Sequence, residues 1–83
     1  MNAAYLEERI ARTKATIEIY EDAVDALASG RVQSYTIDTG QNRQTATRFE
    51  IGSLQRYVEQ LYVRLATLEA RLNGGNVLIR PGF

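Results

Sequence analysis

Apolar residues in this chain fall into two long seams separated by a short, differently patterned stretch. Leu6, Ile10, Thr13, Ile17, Tyr20, Val24 and Leu27 recur at spacings of 4, 3, 4, 3, 4 and 3. That period keeps one helical face continuous for about six turns. Glu8 and Arg12 add a favourable i,i+4 pair, and Gly30 sits where a residue after a helix C-cap belongs. The second seam is Leu54, Val58, Leu61, Leu65, Leu68 and Leu72, with no Gly or Pro among them. Gly52-Ser53, or Glu50 just before, marks its start, and Asn73-Gly74-Gly75 its end.

The stretch between changes period. Val32 to Ile37 and Gln44 to Phe49 are rich in Val, Ile, Tyr, Phe and Thr, which favour strands. Between them Asp38-Thr39-Gly40-Gln41-Asn42 supplies a residue tolerant of positive φ and two turn-forming side chains. This predicts a β-hairpin with a loop longer than two residues. Its phase is open: Tyr35 and Ile37 share one face, Val32 lies on the other, and Phe49 groups with Thr45 and Thr47. An isolated hairpin is barely stable in water, so it must rest on the helices.

The expected fold is therefore α+β, with two long antiparallel helices flanking a hairpin in the order α-β-β-α. Residues 1–75 make one domain, followed by an extended C-terminal tail, 76–83. The expected core is Ile10, Ile17, Tyr20, Val24, Leu27, Phe49, Leu54, Val58, Leu61, Leu65 and Leu68. Off the seams, Tyr5 and Ile19 share an outward stripe with Arg12 and Ala26, and Val63 one with Arg56 and Ala70. Tyr57 and Tyr62 flank the second seam. Several such residues on a small chain suggest a partner surface.

Composition narrows the function. The 83 residues hold ten basic and ten acidic side chains, no Cys and no His. Disulfides and thiol chemistry are excluded, and the commonest general base and transition-metal ligand are missing. No phosphate loop, nucleophile elbow or zinc spacing occurs. The expectation is a protein that is not an enzyme and uses no cofactor, metal or small-molecule substrate. No apolar run approaches the ~20 residues of a membrane span, and the N-terminus does not read as a signal peptide, so cytoplasmic synthesis is expected.

The charge is unevenly placed. Residues 1–29 balance to −3 and the remainder to +3. Glu18 with Asp22, and Glu21 with Asp25, form i,i+4 carboxylate pairs on the first helix. They read as a solvated acidic face or as a surface for an arginine-rich neighbour, which makes Glu18, Glu21, Asp22 and Asp25, with Arg56 and Arg64, the candidate inter-subunit residues. Nine of the ten basic residues are Arg, which suits phosphate contact, but no sequence-reading nucleic-acid motif accompanies them. After the Gly-Gly hinge, Val77, Leu78, Ile79, Arg80 and Phe83 form a mostly apolar tail suited to docking on a partner.

Taken in order, Leu27, Gly30-Arg31-Val32, Phe49, Leu54-Gln55-Arg56-Tyr57-Val58-Glu59-Gln60-Leu61 and the closing Arg80-Pro81-Gly82-Phe83 resemble the lambda-type W head–tail joining proteins of long-tailed bacteriophages. The resemblance covers about Thr13 to Leu61 plus the tail. Both helices and the hairpin loop are longer here, and the tail has one Arg instead of a basic cluster. The resemblance implies two antiparallel helices with a hairpin. It further implies a virion protein of the head–tail junction, a homo-oligomeric ring beneath the portal that helps retain the genome and presents a surface to a second neck or tail-completion protein. Portal and neck protein are then the partners, channel DNA is close by, and the apolar tail at Val77, Leu78, Ile79 and Phe83 matters for activity. The competing expectation is a small cellular helical interaction module, such as a regulator or antitoxin-like subunit. A non-specific nucleic-acid binder comes third.

Overall fold

The computed structural model describes residues 3–74. Two α-helices, α1 (Ala3–Ala28) and α2 (Ile51–Leu72), flank an antiparallel hairpin of β1 (Ser34–Asp38) and β2 (Arg43–Thr47), an α+β arrangement in the order α-β-β-α. The predicted docking residues Val77, Leu78, Ile79, Arg80 and Phe83 lie outside the described residues.

Local signals set the boundaries. α1 stops where Gly30 takes φ +80°, which an L side chain resists. The hairpin closes through Thr39–Asn42, with Gly40 at φ +88° and its N–H donating to Asp38 Oδ1 at 2.9 Å. β2 ends at Thr47, whose backbone N–H donates to the Glu50 carboxylate. This return bond is half of a capping box. It turns the chain through a short 3-10 segment, Arg48–Glu50, into α2.

The helices run antiparallel: Val24 and Asp25 share a groove with Gln55 and Val58, while Arg9 and Arg12 share one with Leu61 and Arg64. The central core joins Ile17, Tyr20, Ala23 and Leu27 of α1, Ile37 and Ala46 of the hairpin, and Leu54, Val58 and Leu61 of α2. Leu6, Ile10 and Thr13 continue the buried seam toward the start of α1. Thr13 tolerates burial because its hydroxyl donates to the Arg9 carbonyl at 2.8 Å.

Register resolves the strand phase. Tyr35 pairs with Ala46 and Ile37 with Gln44, so these four share the helix-facing side, and Ser34, Thr36, Thr45 and Thr47 share the other. The strands are shorter than expected, and three expectations need correction. Phe49 is not core: it falls in the 3-10 turn and is 92% exposed, because the Thr47–Glu50 cap takes the chain out of the sheet before it. Val32 lies outside the strand and is exposed. Ala26, placed on an outward stripe, is buried, and Ile19 beside it is half-buried against the core. That side of α1 carries the hairpin, and Ala23 and Ala26 let the sheet approach closely. Val24, Leu65 and Leu68 are only half-buried.

Candidate interaction surfaces

Three elements meet at Tyr20. Its phenol oxygen accepts a hydrogen bond from Gln44 Nε2 at 3.0 Å, and its ring lies 4.8 Å from that of Tyr57, tilted by 59°. Burial, with the nearby Tyr57 phenol adding to it, pushes the Tyr20 phenol above its usual range, and the Gln44 bond works against that. α1, β2 and α2 are thereby pinned at one height, and a groove opens from this joint along the helix pair.

That groove encloses about 590 Å³ and is lined by Arg9, Arg12 and Thr16 of α1, Tyr57 and Arg64 of α2, and the hairpin loop 39–42. It holds three guanidinium groups and no carboxylate. Arg12 reaches Glu8 only at 4.0 Å, with both side chains exposed, which leaves its charge largely uncompensated. The loop wall is fixed by its own bonds, Thr39 N–H to the Asn42 carbonyl at 2.9 Å and Asn42 N–H to Thr39 Oγ1 at 3.2 Å. The Gly40 N–H and the Arg43 guanidinium, 3.3 Å away, together hold the Asp38 carboxyl below its usual range. Arg43 is thus occupied locally, whereas Arg9, Arg12 and Arg64 face the groove. The arrangement suits an anionic partner of extended shape.

A second groove has the opposite character. It encloses about 640 Å³ and is lined by Glu21, Val24, Asp25, Gln55, Val58 and Glu59, with no cation and nothing from the hairpin. Tyr62 donates its hydroxyl hydrogen to Glu21 Oε2 at 2.8 Å across the helix pair. Because that bond needs the phenol proton, Tyr62 is shifted above its usual range.

The predicted inter-subunit residues therefore separate. Glu18, Asp22 and Asp25 are exposed along α1 at spacings of 4 and 3, and no arginine among the described residues pairs with them. Glu21 is half-buried and engaged by Tyr62. Arg56 is exposed near the start of α2, with Nη2 3.4 Å from Ser53 Oγ. Arg64 lies about 12 Å further along the helix at ~1.5 Å per residue, in the groove with Arg9 and Arg12. The last two were missed because the charge was balanced by halves of the sequence, which placed them in the acidic half. Their i,i+3 spacing, continued by Thr16 at i+7, was the readable sign of a shared face.

Apolar surface is also on offer. Phe49 stands out from the corner between β2 and α2, and Val63 is 67% exposed on α2. Among the described residues no helix is long and apolar enough to cross a membrane, and no group of three His, Cys, Asp or Glu side chains is placed to hold a metal ion. Comparison of the chain with protein-family models, curated proteins and solved structures finds no match.

Proposed function

We propose that this chain is a structural protein of a bacteriophage head–tail connector, forming a ring beneath the portal that completes the DNA-filled head and receives the next neck protein. The observation that carries the proposal is the architecture. The stretch from about Thr13 to Leu61 that resembles the W-type joining proteins implies a hairpin set between two antiparallel helices, and the chain folds that way. The surfaces support a binding role as well: two grooves of opposite charge on one helix pair, and a bare aromatic at the corner. In this reading the apolar residues Val77, Leu78, Ile79 and Phe83 anchor each copy to the portal or a neighbouring neck subunit.

The test is to mix the purified chain with a phage portal protein from the same genome and image the product. A ring of added density under the portal, and filled heads that keep their DNA nuclease-resistant only when the chain is present, are the expected results. Failure to bind the portal, with heads equally stable without the chain, overturns the proposal.

A further inference from the structure

The two charged surfaces of this molecule complement each other. The groove presents Arg9, Arg12 and Arg64 without a carboxylate. Glu18, Asp22 and Asp25 form an exposed ridge on α1; among the described residues no ion pair engages them, and Arg31 is the one cation that shares a hollow with Asp22 and Asp25. Both run along a helix, and the ridge is short enough for the groove. Glu18 to Asp25 spans about 10 Å and the α1 wall of the groove, Arg9 to Tyr20, about 16 Å at ~1.5 Å per residue. Within one chain they cannot meet, since they occupy different stretches of the same rigid helix.

We propose that the arginine groove of one copy receives the Glu18–Asp22–Asp25 ridge of a second copy. This deepens the ring reading by naming the contact between neighbours, and it would hold for a homo-oligomer of any function. Seating the ridge sets up to three guanidinium–carboxylate pairs beside the partly shielding walls of Tyr57 and the hairpin loop, where such pairs fix register and orientation. The surfaces differ, so the contact is heterologous: a copy whose ridge is seated still offers an open groove. Repetition gives a ring if the rotation closes and a filament if it does not. The zero formal net charge of the chain lets copies approach without overall repulsion.

A charge-swap experiment on the full chain, free of portal and nucleic acid, decides the matter. One variant reverses the groove, Arg12→Glu with Arg64→Glu; the other reverses the ridge, Asp22→Arg with Asp25→Arg. All four positions are exposed, so circular dichroism should show native helicity for both. Sedimentation at low ionic strength should show the unaltered chain associating with concentration and dissociating as salt is raised. Each variant alone should associate at least tenfold more weakly, and the two mixed should recover association, since each offers the surface the other lacks. If the groove variant misfolds, Arg12→Gln with Arg64→Gln replaces it, and if the ridge variant misfolds, Asp22→Asn with Asp25→Asn does; the tenfold weakening is then the readout. An unaltered chain that stays monomeric at millimolar concentration and low salt overturns the inference, as do a mixture that recovers nothing and a groove that retards DNA fragments instead. A monomeric chain that still forms a ring on the portal overturns this contact but leaves the connector function standing.

Discussion

The two halves of this helix pair share a sequence pattern but not an environment. Where the hairpin lies across it, the 4–3 seam is buried deeply: Ile17, Tyr20, Ala23 and Leu27 meet Leu54, Val58 and Leu61 beneath Ile37 and Ala46. Past the hairpin loop the seam stays buried on α1, at Leu6, Ile10 and Thr13, yet Leu65, Leu68 and Leu72 of α2 are only half-buried. Each strand has five residues, about 17 Å at ~3.3 Å per residue, whereas the molecule is 45 Å long. Two helices alone cover a narrow stripe of each other, and a third element is needed to close the rest. The arginine groove lies at the boundary, running from the hairpin loop and the Tyr20–Tyr57 joint toward Arg9, Arg12 and Arg64, so the end of the covering and the start of the open charged surface coincide.

The sharpest way to break the comparison is to cut the covered half. Ile37→Ala or Leu61→Ala removes a side chain that is at most 3% exposed. Each should cost ~2–5 kcal/mol in chemical denaturation. Leu68→Ala in the half-covered region should cost less, ~1–2 kcal/mol, because less area returns to water. Equal losses in both places would show that the hairpin does not distinguish the halves. Native-state hydrogen exchange should find the backbone around Leu6 to Ile10 opening before that around Ala23 to Leu27. Phe49→Ser, at a position that buries almost nothing, should leave the denaturation midpoint within ~0.5 kcal/mol, and a larger loss would mean the aromatic packs in the free protein.

The smallest effect is alkaline. Tyr20 and Tyr62 both have folded-state phenol values raised above the ordinary 10.0. Their contribution is fully present below that value and declines as pH rises through the folded-state values. Melting followed alongside tyrosinate absorbance should show stability falling there, and Tyr62→Phe should reduce the slope. For the tail, deletion of residues 76–83 should leave melting nearly unchanged while abolishing incorporation beneath the portal.

Much of this was readable in the residues. Helical period fixed both seams, and Gly30, Gly40 and Asn73-Gly74 marked ends and turns where the structure has them, with Gly74 at φ +103°. Phe49 was misplaced because its aromatic ring favours a strand, although Thr47-Arg48-Phe49-Glu50 spells a capping box that ends one. Ala26 was misplaced because a small residue off the seam carries no hydrophobic signal of its own, and only the hairpin's position reveals what it is small for. The arginine groove depends on residues 9, 12 and 64 meeting across an antiparallel pair beside a loop. Linear charge sums cannot express that geometry: they pointed to Arg64, which lines the groove, together with Arg56, which does not, and passed over Arg9 and Arg12.

The loop Thr39–Asn42 belongs to the groove wall but not to the core. Lengthening such a loop costs little, about 0.6 kcal/mol for a doubling, while every added residue reshapes one end of the groove. Descendants of this sequence could therefore acquire a different neighbour through insertions at Gln41 without risking the domain that holds the site. In engineering terms, the hairpin tip is a dial for partner choice whose setting is nearly independent of the fold.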